Sequence, residues 1–371
     1  MSKLVSAVSA SQNESDHIRI KLSRSTGFTL DCDIDLPQEA SVTVFFGPSG
    51  CGKTTILRAA AGLEKAPGFV RIAGQTWQDD EKGIFVPTYA RRIGYVFQEA
   101  SLFTHLNVID NLRYGLKRIA DQNAEDRLKE AVDLLGIGHL LTRRTNELSG
   151  GERQRCAIAR SLAIRPSALF MDEPLSALDQ ARRREIMPWL ERIKRELKVP
   201  ILYVTHSEDE VMRLADQLVL MDQGKIVDVG PVAGVWLKRL QKEATATHQS
   251  SLMIGTVDEK DSQWSLMKIG CGSAHFWVKD SCAALGETVR VTVRSENVSV
   301  SVQKPSTTSI QNVFQAHLTH IRRDSDTSRV LLELDCDGSV IIAEVTARAV
   351  NELQLMETMP VWVQVKSVSI C

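Results

Sequence analysis

The run "VTVFFGPSGCGKTTILRAA", Val42 to Ala60, constrains this chain more than any other stretch. Apolar residues at Val42–Phe46 read as a buried strand, and "KTTILRAA" reads as the helix that follows. Between them, Gly47, Gly52, Lys53 and Thr54 fit the spacing G-x-x-x-x-G-K-[ST]. That spacing lets the loop Gly47, Pro48, Ser49, Gly50, Cys51 and Gly52 wrap backbone N–H groups around phosphates. Lys53 then reaches the outer phosphate oxygens, the Thr54 hydroxyl can ligate Mg²⁺, and Thr55 continues the helix. Cys51 is read as a small residue the loop tolerates, not as a nucleophile.

A second helix start about a hundred residues later is also built for an anion. In "LSGGERQR", Ser149, Gly150 and Gly151 precede a helical run, and helix N-termini present free N–H groups and a positive dipole end. Next, "ALFMDEP" is an apolar strand ending in Asp172 and Glu173. Buried carboxylates are costly unless a metal or protons compensate them, so the pair belongs with the phosphate loop. Asp172 is expected to hold Mg²⁺ and Glu173 to orient and deprotonate an attacking water. The strand "PILYVTH" ends at His206. Strand-like and helical stretches alternate through this half of the chain, which predicts a parallel α/β sheet. "RRREIMPWLERIKREL" is expected to be helical despite Pro188, and "QLVLMDQGKIVDVG" to form a hairpin across Gln223 and Gly224.

Taken in order, the phosphate loop, "LSGGERQR", "MDEPLSALD" and "VTH" resemble the nucleotide-binding subunit of an ABC transporter. The resemblance implies an α/β P-loop NTPase fold with a helical subdomain, and ATP with Mg²⁺ as its cofactors. It further implies that Ser149, Gly150 and Gly151 form the signature loop and Gln98 the glutamine that joins Thr54 and Asp172 at the metal. Asp179 becomes the D-loop residue, and Gln98, Glu173 and His206 the catalytic set. Two such chains meet head to tail in that family, so the second helix start serves the phosphate of a homodimer partner. The family also stacks an aromatic on adenine about twenty residues before the phosphate loop. Here "LSRSTGFTL" offers either Phe28, through a shifted turn, or an arginine such as Arg24.

Composition narrows the class. The 371 residues are 43% hydrophobic and 25% charged with a formal net charge of −1, which argues against a nucleic-acid binder. The 7 cysteines are scattered without a CxxC pair, as in a reduced intracellular chain. "MSKLVSAVSASQNESDH" lacks the apolar core of a signal peptide, and no run nears the ~20 apolar residues of a membrane span. Residues 1–16 are expected to be a flexible tail, 17–240 the ATPase domain with its helical subdomain at about 99–165, and 241–371 a β-rich domain. "QKEATATHQSS" reads as the linker. The tail carries a repeat: "VRVTVRSENVSV" and "VWVQVKSVSI" share a Val-x-Val-x-Val-basic-Ser run, which predicts two small modules of similar build.

One ATPase domain followed by a β-rich tail resembles bacterial importers, and "SLFTHLNVIDNLRYGLK" resembles their permease-facing segment. "SIQNVFQAHLTHI" and "IIAEVTARAVNELQL" resemble the Mop-type barrel of molybdate importers, placing an OB-like module at about 305–371. The resemblance implies membrane permease subunits, a substrate-binding protein, and a peripheral position on the cytoplasmic face of the inner membrane. Importers for sulfate, tungstate, iron, sugar or polyamine, or a non-transport ABC ATPase, are the alternatives. Thr346, Lys366 and Ser367 could seat an oxyanion in the last module, or be ordinary strand residues.

Overall fold

The computed structural model describes residues 15–25, 27–37, 40–117, 123–242, 249–323 and 328–370. Most of the expected N-terminal tail, most of the expected linker and Cys371 lie outside the described residues. The chain divides into two compact units, Met1–Pro231 and Val232–Cys371.

Eleven strands of the first unit form one sheet. They are β1 (His17–Ser23), β2 (Thr29–Asp35), β3 (Val42–Phe46), β4 (Gly68–Ile72), β5 (Gln75–Asp79), β6 (Ile84–Phe85), β7 (Ile93–Val96), β8 (Ala168–Asp172), β9 (Ile201–Thr205), β10 (Gln217–Asp222) and β11 (Lys225–Pro231). The helices are α1 (Lys53–Ala60), α2 (Val108–Leu116), α3 (Ala124–Leu135), α4 (Gly150–Ala163), α5 (Gln180–Glu196) and α6 (Glu208–Leu214). Strand order is β6-β5-β4-β1-β2-β11-β10-β3-β9-β8-β7.

The stretch β10-β3-β9-β8-β7 pairs parallel throughout, and β11 meets β2 in parallel at Lys225 and Asp31. Every residue of β3, β8 and β9 is buried, as continuous apolar runs covered on both faces should be. The arm β6-β5-β4-β1-β2 is antiparallel, a part of the sheet that the expectation of parallel α/β pairing did not include. The cause is chain length: tight turns such as Ala73-Gly74 join neighbouring strands, whereas parallel pairing needs a long crossover. The expected hairpin joins β10 to β11, with Gln223 and Gly224 at φ 44° and 79°. Helix α5 does continue through Pro188, and α3 stops at Gly136 in the left-handed region.

In the second unit the elements are α7 (Val232–Lys242), β12 (Ser250–Asp261), β13 (Leu266–Cys271), β14 (Ala274–Lys279), β15 (Thr288–Arg294), β16 (Val298–Ser301), β17 (Asn312–Arg323), β18 (Arg329–Cys336), β19 (Ser339–Thr346), α8 (Ala347–Glu352), β20 (Pro360–Val365) and β21 (Ser369–Ile370). The unit starts at Val232, ahead of the expected break at 240/241, because α7 packs on β12. Val232, Val235, Trp236 and Leu240 of α7 are buried, and Trp236 Nε1 donates to the Ser250 carbonyl at 2.9 Å.

The valine repeat has a structural meaning. Two five-stranded sheets run β14-β13-β12-β15-β21 and β19-β18-β17-β20-β16. The first half of each repeat lies in its own sheet, and the second half crosses to close the other. Val291 of β15 faces Ile370 of β21, and Val363 of β20 faces Val300 of β16. Register shifts fall at matching places, Val257/Glu259 and Leu318/His320. Matching side chains also lace each module to the other: Asn312 Oδ1 accepts from Trp277 N–H at 2.6 Å, and Ser251 Oγ from Ile342 N–H at 2.8 Å. The two expected modules are therefore interleaved through their last strands and share one core.

At the end of α7, Arg322 NH1 donates to the carbonyls of Leu240 at 3.0 Å and Gln241 at 2.6 Å. Its other nitrogen pairs with Glu333, whose remaining oxygen accepts from Gln241 Nε2 at 3.1 Å. Glu333 is only 2% exposed, so this is a buried ionic clasp.

Candidate nucleotide-binding site

Four neighbouring parallel strands, β3, β9, β8 and β7, end on the same side of the sheet, the usual place for a ligand in open α/β folds. The phosphate loop follows β3, His206 follows β9, Asp172 closes β8 with Glu173 after it, and Gln98 lies just past β7.

The loop Gly47–Gly52 turns into α1 through Gly52, whose φ of 105° only glycine adopts readily. A Cβ on Gly47 would sit 2.1 Å from the Met221 carbonyl oxygen, so glycine is required there by close approach. Pro48, Ser49 and Gly50 are exposed at the tip, while Cys51 is buried beneath it. Lys53 folds back over the loop, and its Nζ donates to the carbonyls of Gly47 and Pro48, both at 2.8 Å. Thr55 follows Thr54 in the first turn of α1.

Thr54 Oγ1 donates to Asp172 Oδ1 at 2.7 Å, and Tyr95 donates its phenol to Asp172 Oδ2 at 3.3 Å. Burial raises the Asp172 carboxyl above its ordinary value, with the Thr54 and Tyr95 hydrogen bonds opposing and Glu173 adding to the rise. Burial and the adjoining Asp172 push the Tyr95 phenol well up, so it stays a donor. The paired Thr54 hydroxyl and Asp172 carboxylate are hard oxygen donors that fit Mg²⁺. Among the described residues no cluster of three His, Cys, Asp or Glu forms a metal cage, so phosphates would complete the coordination.

Glu173 adopts φ 44°, a left-handed conformation rare for a side chain of its kind and a local strain of about 1 kcal/mol or more. Its N–H donates to the Val204 carbonyl at 3.0 Å, which fixes the turn. Glu173 Oε2 lies 3.1 Å from His206 Nδ1. An ionised carboxylate only accepts, so this contact requires the proton on Nδ1.

The signature residues lie elsewhere in the unit. Ser149 caps α4: its hydroxyl accepts from Glu152 N–H at 3.3 Å, and Glu152 Oε2 accepts from Ser149 N–H at 2.7 Å. A Cβ on Gly150 would lie 3.2 Å from Leu178, and one on Gly151 3.5 Å from Ile186. Asp179 caps α5 by accepting from Arg182 N–H at 2.9 Å. The fold thus brings Ser149–Gly151 beside the Asp179 segment, while Thr54, Asp172, Glu173 and His206 gather at the strand ends. Of the two adenine candidates, Arg24 is paired with Glu64, and the Phe28 ring lies 3.1 Å from the Cβ position of Gly52.

The family model for ABC transporters matches residues 31–176, and the model for the TOBE domain matches residues 308–371. The chain is 44% identical over 346 residues to the molybdenum import ATP-binding protein ModC of Methylococcus capsulatus, covering 93% of this chain and 96% of that one. This chain belongs to the ABC transporter ATP-binding family. It is also 43% identical over 347 residues to the same-named protein of Pseudomonas syringae pv. syringae, with 92% and 95% of the two chains covered. Among solved structures, CbiO1 of Clostridium perfringens, described as part of the ABC transporter complex CbiONQ, superposes with a TM-score of 0.54 at 28% identity. That match spans 62% of this chain and 95% of that one.

Of the residues left open between an oxyanion seat and ordinary strand positions, Thr346 closes β19, while Lys366 and Ser367 follow β20. Thr346 pairs with Arg329 beyond the Arg323 end of β17, whereas Lys366 follows Val365, which pairs with Asn312 at its start. The Thr346 hydroxyl is instead the cap of α8, accepting from Ala349 N–H at 3.1 Å. Tyr95 was missed, because only the pairing of β7 with β8 brings it to Asp172.

Proposed function

We propose that the chain is the ATP-hydrolysing subunit of a molybdate importer and acts as a homodimer beneath separate permease subunits. The reading is carried by one observation: Thr54 with Asp172, and Glu173 with His206, meet at the ends of adjacent strands beside the phosphate loop. Relatives printed as molybdenum import proteins over more than nine-tenths of the chain support the substrate. A periplasmic substrate-binding protein would deliver the anion, and the subunit would sit on the cytoplasmic face of the inner membrane. No helix among the described residues is long and apolar enough to cross that membrane itself. Nothing in its charge balance calls for nucleic acid.

ATP enters the Gly47–Thr55 loop and draws Lys53 from the Gly47 and Pro48 carbonyls onto its outer phosphates, with the adenine against Phe28. Mg²⁺, when bound, supplies charge neutralisation across those phosphates. Thr54, Asp172 and Gln98 would hold it, directly or through water. Glu173, aimed by its strained backbone, accepts the proton of the attacking water. His206 holds that carboxylate and faces the γ-phosphate. Ser149, Gly150 and Gly151 close on the partner's γ-phosphate, with Asp179 at the dimer seam. An oxyanion acting at the C-terminal unit would draw on Lys366 and Ser367 without Thr346.

The test is reconstitution with the permease subunits of a molybdate importer. Molybdate should stimulate ATP hydrolysis, and Glu173→Gln should slow it by about 10²–10⁴-fold while ATP still binds. Stimulation by sulfate or iron but not molybdate would overturn the substrate assignment. Full activity of Glu173→Gln would overturn the chemistry.

A further inference from the structure

We infer that Tyr95 is a positioning residue for metal binding: its hydroxyl pins one oxygen of Asp172 so that the other faces the phosphate site. The inference rests on the reading of Asp172 as a metal ligand. Asp172 is 6% exposed, so water is a poor source of donors for its carboxylate. Its Oδ1 is matched to Thr54 and its Oδ2 to Tyr95. Without a second donor the carboxylate could rotate about its side-chain torsion or turn both oxygens toward a cation. With the phenol in place, only Oδ1 is presented.

The ring carrying that hydroxyl is itself held. Tyr95 contacts Phe97 at 4.4 Å between centroids and Phe170 at 6.2 Å. Parallel register sets Tyr95 opposite Phe170, two residues before Asp172, and the length of the phenol makes up the difference. A phenylalanine would keep the ring contacts and stop short of the carboxylate. Strand β7 also leads directly to Gln98, the other residue assigned to the metal. Tyr95 therefore couples the strand that positions Gln98 to the oxygen that Asp172 offers. Outer partners of metal ligands of this kind fix ligand orientation, and their loss weakens metal binding by about 10–100-fold.

The experiment uses the full chain with Mn²⁺ as probe, titrated by electron paramagnetic resonance in the presence of a non-hydrolysable ATP analogue. Tyr95→Phe should weaken Mn²⁺ binding at least about tenfold. Affinity for the analogue in EDTA should stay at the wild-type value. In steady state the half-saturating Mg²⁺ should rise by the same factor, with kcat recovering at high Mg²⁺. Tyr95→Leu, which also removes the ring, should show at least the same loss of Mn²⁺ affinity. Asp172→Asn is the reference: in that background Tyr95→Phe should add nothing. Unchanged Mn²⁺ binding in Tyr95→Phe while Asp172→Asn weakens it would overturn the inference alone. Unchanged binding in Asp172→Asn would overturn the ligand reading beneath it.

Discussion

Removing the carboxylate of the buried clasp by Glu333→Ala should open the second unit far more than an ordinary surface change. Glu333 is 2% exposed and answers both Arg322 and Gln241, and desolvation already depresses the Arg322 guanidinium. Truncating Glu333 leaves the half-buried Arg322 with only the Leu240 and Gln241 carbonyls, and leaves Gln241 Nε2 without this acceptor, a penalty of about 1–3 kcal/mol. The two units need not unfold together, so a single melting temperature would misreport the effect. Amide exchange in β18, read by mass spectrometry, isolates it. Since 1.4 kcal/mol is a factor of ten, Val330–Leu334 should exchange about 5- to 100-fold faster. Amides of β8 in the first unit serve as the internal control and should not change.

The companion variant separates charge from packing. Arg322→Met with Glu333→Leu removes both charges while keeping bulk, and such replacements are often neutral or stabilising. What remains lost is the guanidinium at the α7 carbonyls, worth up to about 1 kcal/mol. The double variant should return to within about tenfold of wild type. Protection in Glu333→Ala within about threefold of wild type would refute the reasoning, as would a double variant no better than the single one.

Gly47→Ala should abolish ATP binding and lower stability, because its Cβ would meet the Met221 carbonyl at 2.1 Å; fluorescent-nucleotide titration and thermal unfolding read both effects. Asn312→Ala should destabilise the second unit by about 1–3 kcal/mol, since Trp277 N–H loses its acceptor within the interleaved core, with exchange of the β14 amides as the readout.

What could be read from the sequence was local. The phosphate loop, the Ser149 cap with its Glu152, the stop of α3 at Gly136 and the turn at Gln223-Gly224 are each contiguous, so residue type and spacing carry their geometry. What could not be read was adjacency. A period of two tells which residues share a face and not which strand lies beside them. For that reason the valine repeat announced two modules without announcing that each closes the other. The same blindness left Tyr95 unconnected to an acid 77 positions away. The start of α7 was hidden differently: "VAGVWLKRL" follows β11 without a break in polarity, and only the burial of Trp236 assigns it to the second unit.

The two glycine-rich helix starts of the first unit, at α1 and α4, bear on the proposed sharing of sites between two chains. Helix α1 begins directly after β3, within reach of Asp172 through Thr54. Helix α4 begins against Leu178 and Ile186 on the segments around Asp179. Its capping box satisfies the N–H groups of Ser149 and Glu152, and the Ser149 carbonyl takes that of Arg153. The helix start runs from exposed Ser149 through half-buried Gly150 to buried Gly151, and neither glycine has a side chain to cap its own amide. A helix end in that condition attracts an anion. Under the proposed function, Lys53 and Thr54 would hold one phosphate at their own helix, and head-to-tail pairing, which the resemblance to ABC transporters implies, would give each α4 the nucleotide of its partner.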